Sequence, residues 1–331
     1  MADDRGLYTG DNPKHTSYPE DAGHLPEQSK LATGAAHGGA EAGELLYPEQ
    51  RTLWGDVFRR YVRNQAAMGA SAFLFLLLAY AIIGPYLRPY GFADIDYSVA
   101  HQLPNADHWM GTDMFGRDLF VRMAMASRVS LLVAVAASGI ILAVGVIYGS
   151  VAGFFGGILD DGMMRFVDIL YGLPYLPFAI ILLVILGGGI GPMLLALAVV
   201  SWLTPSRLVR GQILTLKQNE YVEAGRALGA SRGRIMFRHL LPNTLGIIVI
   251  ALFLEIPANI IGEATLSFLG LGISAPNASW GTMALEGYQG LRSHPWLIFL
   301  PAIFIAVTVL AFNFVGDGFR DAIDPRTRET R

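Results

Sequence analysis

Cysteine is absent from the 331 residues, so neither a disulfide framework nor a thiolate metal site is available, and the redox compartment is left open. Charge is scarce too: 15% of residues are Asp, Glu, Lys or Arg, where soluble globular chains average about a quarter. Beyond residue 30 the only lysine is Lys217, and no Gly-x-x-x-x-Gly-Lys-Ser/Thr phosphate cradle occurs. If ATP drives this protein, another chain hydrolyses it. No His-Glu-x-x-His is present and the seven histidines are scattered, which argues against a metal hydrolase. Gly229-Ala230-Ser231-Arg232-Gly233 matches Gly-x-Ser-x-Gly, but that motif acts on a strand–turn–helix with a His and an acid at hand. Here it lies in an arginine-rich helical stretch with only His239 nearby. No catalytic residue, cofactor or metal is expected on this chain.

What is abundant is apolar: 53% of the chain. Residues 1–50 stand apart, with nine acids against Arg5, Lys14 and Lys30 for a net charge of −6, leaving 21 bases and 18 acids, or +3, for the rest. That segment is rich in Gly, Pro, His and Ser and poor in large apolar residues, so it is predicted to be a disordered tail. Its start, MADDRG, lacks the apolar stretch of a secretory leader and is not expected to be one.

About 20 apolar residues cross a bilayer as a helix. Six runs qualify: Ala66–Gly84, Ser130–Phe155, Met163–Leu186, Pro192–Leu208, Leu240–Gly270 and Trp296–Val315. The fold class is therefore all-α, a polytopic membrane bundle. The divisions are the tail at 1–50, the first span with its following loop at 51–125, and the main transmembrane domain at 126–331. Gly145, Gly149 and Gly153 recur every four residues in the second run, a pattern that lets helix backbones approach closely. Pro174, Pro177, Pro257 and Pro301 are expected to kink their helices.

Cytoplasmic loops carry the excess of Lys and Arg. With the N-terminus inside and the runs alternating, 16 such residues fall inside and five (Arg88, Arg117, Arg122, Arg128, Arg292) outside. Both termini and the 220–243 segment are thus expected to face the cytoplasm. Three acids inside the runs need partners, since a charge at the bilayer centre is costly. Asp168 is expected to pair with Arg165, three residues away on the same face. Glu255 and Glu263, eight apart and so on one face, together with Asn259, either line a polar path or meet arginines of a second subunit.

The segment Glu220–Asn243 is predicted to be two short helices. Asn219 is placed to cap the first, with Glu220 and Glu223 in its first turn and Arg226 further on. Tyr221, Ala224 and Leu228 make one apolar stripe, and Gly229 sits at a left-handed C-terminal cap. Ser231 caps a second helix bearing Arg232, Arg234 and Arg238. Such a stripe either lies on lipid headgroups or fills a groove on a soluble partner.

Glu223-Ala224-Gly225, Gly229 six residues after the Glu, and Leu241-Pro242 resemble the EAA loop of ATP-binding-cassette importer permeases. The departure is Gly225, where the pattern has Ala. Further segments resemble the C-type permease of dipeptide and oligopeptide importers over roughly residues 55–326. They are Gly111-Thr112-Asp113, Gly116-Arg117-Asp118, Arg128 through Leu132, Asp161 with Met164 through Asp168, Glu263 through Gly272, Trp280-Gly281, and Gly316 through Arg326. The resemblance implies a type I importer fold, with Glu220, Tyr221, Glu223, Ala224, Gly225, Arg226, Leu228 and Gly229 docking on an ATPase. It also implies a homologous B-type permease, two ATPases that bind the ATP and Mg, and an extracytoplasmic peptide-binding protein as partners, all in a lipid membrane and without nucleic acid. Peptide is the implied cargo, with nickel or glutathione as alternatives in the same family. A secondary transporter using Glu255 and Glu263 as ion sites is the reading from another class.

Overall fold

A computed structural model of the chain describes residues 53–273 and 276–323. The tail at 1–50, and Asp324, Pro325, Arg326, Arg328 and Arg331 of the C-terminal run, lie outside these residues. Among the described residues the regular structure is helical. Four helices are long and apolar enough to cross a membrane, or six if each of two bent pairs is one span.

α1 (Leu53–Arg63) precedes the first span where the sequence pattern gave no element. Its Tyr61 is buried against Phe319, ring centroids 4.5 Å apart, while Arg59 and Arg63 stay exposed. Asn64 turns the chain into α2 (Gln65–Ile83), its side-chain oxygen accepting from Ala67 N–H at 3.1 Å. α3 (Leu119–Phe155) is 37 residues long, far more than the span of 130–155 expected. Asp118 caps it, accepting from Val121 N–H at 2.9 Å. Arg122 and Arg128, counted with an outer loop, are therefore helical residues.

Pro174, Pro177 and Pro205 lie at or in the first turn of a helix, where a missing N–H is harmless, whereas Pro257 and Pro301 lie inside theirs. α4 (Gly157–Tyr171) and α5 (Tyr175–Leu186) meet at 83° across Gly172-Leu173-Pro174, and Pro177 is absorbed in the first turn of α5. α6 (Ile190–Ser201) and α7 (Leu203–Leu216) meet at 46° around Trp202, and Pro205 sits in the first turn of α7, so the fourth run continues as helix past Arg207. α8 (Glu220–Ala227) is the short helix of the loop. α9 (Arg232–Leu271) passes through Pro257, and its ends, Ile235–Leu240 and Ser267–Leu271, are π-helical. α10 (Trp280–Gln289) opens on a capping box between Ser279 and Thr282, and α11 (Trp296–Ile323) passes through Pro301. The division expected at 125/126 falls inside α3.

α3 is the axis of the bundle: α7, α9, α6 and α2 all pack on it, while α11 packs on α9, α10 and α2. Leu77, Met123, Ile256, Ile260, Trp280 and Phe312 form one core, and Ile141, Leu183, Met193, Leu197 and Leu266 a second. Large apolar side chains also point outward, among them Phe75, Ile147, Val184 and Ile185, as a lipid-facing surface requires.

The glycine row on α3 meets α7 backbone to backbone. A Cβ at Gly149 would lie 2.2 Å from Ser206 O, one at Gly153 2.9 Å from Arg210 O, and one at Gly145 2.8 Å from Pro205 Cβ, whereas Gly139 faces open space. Gly149→Val should lower the thermal midpoint of the purified chain through overpacking of about 1–3 kcal/mol or more. Gly139→Ala should leave the midpoint unchanged or raise it. Equal midpoints for the valine variant and the parent would show that α3 and α7 are not in close contact.

Candidate functional site

The 217–241 loop hangs from the C-terminal end of α3. α8 begins at Asn219, whose backbone is extended (φ −75°, ψ 143°) but whose side chain makes no capping bond, so only part of the expected cap forms. Asn219 C=O still accepts from Val222 N–H at 2.9 Å. Glu220 and Glu223 lie in the first turn and Arg226 in the last, the arrangement that favours the helix dipole.

The helix ends in a reciprocal pair of backbone bonds: Gly229 N–H to Arg226 O at 2.9 Å and Ala230 N–H to Gly225 O at 3.0 Å. This is a Schellman motif, and Gly229 takes the required left-handed conformation at φ +79°. Nothing lies within 4 Å of a Cβ built at Gly229 or Gly225. Glycine at 229 thus answers a backbone demand, and Gly225 answers none visible here. Ser231 accepts from Arg234 N–H at 3.3 Å, which gives the Gly-x-Ser-x-Gly serine a capping role.

One side chain fixes α8 to the bundle, and it is absent from the expected set. Val222 is fully buried with Val209, Ile213, Ile235, Met236 and Leu240. The signal for it was available: Val222 is the one large apolar residue of this helix off the Tyr221–Ala224–Leu228 stripe. The stripe itself faces away from the chain, Tyr221 40% and Leu228 89% exposed, with Ala224, Glu220, Glu223 and Arg226 exposed beside it. α8 therefore hangs on one apolar anchor and presents a second apolar face to the outside.

The stem of the loop is held by ions. Arg210 makes two bonds to buried Asp160, Nε to Oδ1 at 2.5 Å and Nη2 to Oδ2 at 2.7 Å, joining α7 to α4. Asp168 pairs with Arg207 across the same two helices rather than with Arg165. The turn at Gly156-Gly157 that ends α3 leads into α4, which packs against α7 and brings Arg207 to Asp168. Arg207 also covers the Tyr171 ring at 4.2 Å.

The three polar residues of α9 have different surroundings. Glu263 is fully buried and accepts from Ser130 Oγ at 2.9 Å and Ser267 Oγ at 2.6 Å. Trp280 closes over it, donating its backbone N–H to Ser130 Oγ at 3.1 Å and its indole N–H to Ser127 Oγ at 3.1 Å. Buried Asn259 donates to Ser138 Oγ at 2.9 Å and to Glu255 O at 3.0 Å. Both side chains thus tie α9 to α3, a partner inside the chain that the sequence did not identify. Glu255 is half-buried, and among the described residues no side-chain hydrogen bond or ion pair reaches its carboxylate.

At the opposite end of α3, the 87–118 loop is closed onto α10. Arg117 donates to Asp113 at 2.6 Å and to Glu286 at 2.9 Å, and buried Arg122 grips both oxygens of Glu286 at 3.0 and 2.8 Å. Gly116 is required here, at φ +73°, because a Cβ would lie 1.7 Å from Asp96 O. His101, itself at φ +60°, stacks on His294 with centroids 3.9 Å apart. Burial, and secondarily the neighbouring His294, hold the His101 imidazole below its ordinary pKa of 6.5, against the pull of Asp113.

A bundle of apolar helices with one loop turned outward defines a polytopic membrane component. Residues 145–329 match the family model of the binding-protein-dependent transport system inner membrane component, and residues 52–104 that of the N-terminal TM domain of oligopeptide transport permease C. The chain is 47% identical over 274 residues to the dipeptide transport system permease protein DppC of Bacillus subtilis, covering 82% of this chain and 86% of that one. It is 43% identical over 292 residues to the oligopeptide transport system permease protein OppC of the same species, covering 88% and 96%. To the glutathione transport system permease protein GsiD of Pectobacterium atrosepticum it is 38% identical over 279 residues, covering 84% and 93%. The chain belongs to the family of binding-protein-dependent transport system inner membrane components, the multi-pass, non-catalytic permeases of importers driven by ATP-binding-cassette proteins.

Two tests follow from this geometry. Gly225→Ala should slow amide exchange over 220–228, because Ala is favoured in a helix by about 0.5–1 kcal/mol and meets no neighbour. Gly229→Ala should speed it, because a left-handed alanine costs about 1–2 kcal/mol. Equal exchange in the two variants would mean that the cap does not form. Neutral His101 is favoured in the fold, so its contribution is complete above its ordinary pKa of 6.5 and is lost as pH falls below that value. The thermal midpoint should drop between about pH 7.5 and pH 5.5, and drop less in His101→Asn, since Asn tolerates the same backbone.

Proposed function

We propose that this chain is the transmembrane permease subunit of an ATP-driven peptide importer and that α8 is its coupling helix. The observation that carries the coupling role is the outward apolar face of Tyr221, Ala224 and Leu228 on a helix held from behind by Val222. An apolar helix face at the end of a loop suits a hydrophobic groove on a soluble protein. Here the partner is one of two cytoplasmic ATPases, which bind ATP and Mg. Glu220 and Glu223 flank the stripe and set its orientation in the groove, Arg226 in the last turn borders the cavity behind the helix, and Gly225 and Gly229 shape the helix and its end.

The cargo is a dipeptide or oligopeptide, a reading supported by the names of the two Bacillus subtilis relatives. Glutathione, itself a tripeptide, is the second reading, supported by the GsiD relative. An extracytoplasmic binding protein delivers it, and a homologous B-type permease forms the other half of the path. Both termini and the 217–241 loop face the cytoplasm, following the excess of Arg and Lys there. ATP binding draws the ATPases together, α8 moves with them, and the paired bundles turn from inward- to outward-open by a hinge-like rearrangement. Of the three polar candidates on α9, Glu255 faces the path, while Asn259 and Glu263 hold α9 to α3 beside it.

Because the chain has no cysteine, a single Leu228→Cys gives an unambiguous label site. In intact cells an impermeant maleimide should fail to reach it, and should reach it in inverted vesicles until the ATPase is added back. Labelling from outside would reverse the orientation and end the coupling reading. Gly229→Asp should leave membrane insertion intact while peptide uptake per ATP hydrolysed falls at least about tenfold, the scale on which misplacing a positioned element acts. Unchanged uptake by the reconstituted complex would remove α8 from the coupling path.

A further inference from the structure

Lys217 lies outside the expected docking set, and its surroundings are unusual for the one lysine of the described residues. Its ammonium donates to Phe154 O at 2.6 Å and Gly153 O at 3.3 Å, the free carbonyls at the end of α3. An ammonium has three N–H donors, so one remains. It borders a cavity of about 400 Å3 behind α8, whose lining also includes Arg226, Arg232, Phe154, Phe155 and Ile235. Burial, and next the neighbouring Arg226, push the Lys217 ammonium below its ordinary pKa, while Asp160 pulls it back. Asp160 itself is already engaged by both arms of Arg210.

The lining therefore has three cations from three different elements and no carboxylate. Among the described residues neither Arg226 nor Arg232 is in an ion pair. This convergence already weighs on Lys217, whose ammonium Arg226 helps to disfavour. It suits one compact anion with several acceptor oxygens, to which Arg and Lys make charge-assisted bonds. Position narrows the choice. The cavity sits at Phe155, where the apolar run of α3 ends, so in the membrane placement given above it lies at the depth where that span gives way to headgroups. Phe154 and the exposed ring of Phe155 supply an apolar wall on its flank, where an acyl chain would run. Basic pockets between membrane helices at this depth bind anionic headgroups.

We propose that the cavity behind α8 is a phosphate-binding site, filled by the headgroup phosphate of an anionic phospholipid or by free phosphate, its depth in the membrane favouring the lipid. The phosphate bridges the end of α3 through Lys217, α8 through Arg226 and the start of α9 through Arg232. A bound anion thus joins the loop to both long spans. The inference rests on the membrane placement of the bundle given above and not on the docking of α8 to an ATPase.

The test uses the full chain in detergent, incubated with phosphatidylglycerol or phosphatidylcholine and read by native mass spectrometry. One phosphatidylglycerol per chain should be retained in preference to phosphatidylcholine. Lys217→Gln with Arg232→Gln should weaken that retention by about 10- to 30-fold, the effect of two cations at a membrane surface. The charge-conserving pair Lys217→Arg with Arg232→Lys should keep most of it, which separates lost charge from lost folding. If millimolar inorganic phosphate displaces the phosphatidylglycerol, free phosphate shares the site; if it does not, the lipid is the ligand. Equal phosphatidylglycerol retention by parent and double-glutamine variant, or no preference over phosphatidylcholine, overturns the proposal. ATPase binding by the same double variant is measured separately. A parent chain that binds no ATPase would count against the coupling role of α8 and leave the lipid result standing.

Discussion

α3 and α7 touch through glycines, and the position of the outward loop depends on that contact. In lipid no hydrophobic force draws two apolar helices together, so association relies on close van der Waals packing. Gly145, Gly149 and Gly153 remove the side chains that would keep the backbones apart. The approach sets Ile213 against Gly153 and brings Lys217 to the carbonyls that end α3. Ile213 in turn meets Val222, the anchor of α8. Val222 of α8 and Ile213 of α7 thus share one buried cluster, and Ile213 borders Gly153 of α3.

The remainder of the bundle is shaped by the need to neutralise what cannot reach water. Glu263 accepts from Ser130 on α3 and Ser267 at the end of α9, and Trp280 of α10 donates in turn to Ser130. Arg122 is nearly as buried and shares Glu286 with Arg117. Near the other end of the bundle the Asp160–Arg210 pair ties α4 to α7 in the same way. A buried charge pair breaks badly when one partner is removed, so each also fixes which helices are neighbours. α3 is held near its start by Arg122 on Glu286 and toward its end by the glycines that meet α7.

Much of this was legible from the chain. The glycine period, the amphipathic stripe on α8 and the left-handed turn at Gly229 follow from local rules, and each appears as read. The Gly111–Asp118 motif was visible as a pattern, but its purpose, closing a loop onto Glu286 some 170 residues later, was not. Val222 was overlooked because a single valine off the stripe has no periodicity. Local spacing offers Asp168 only Arg165, because only neighbours on one helix can be paired without a fold, and the packing of α4 on α7 supplies Arg207 instead. The extra eleven residues of α3 escaped notice because the pattern of apolar residues marks where lipid begins, and a helix continues beyond that for as long as its backbone is satisfied.

Composition and spacing determined the membrane class, the presence of the apolar runs and the two-faced helix between the fourth and fifth of them. Those properties depend on transfer from water and on backbone geometry, which act residue by residue. The tertiary structure decided which face of α8 is anchored, which carboxylates are sealed and which cation each of them meets. Such choices depend on distances between residues far apart in the chain, and no local preference encodes a distance.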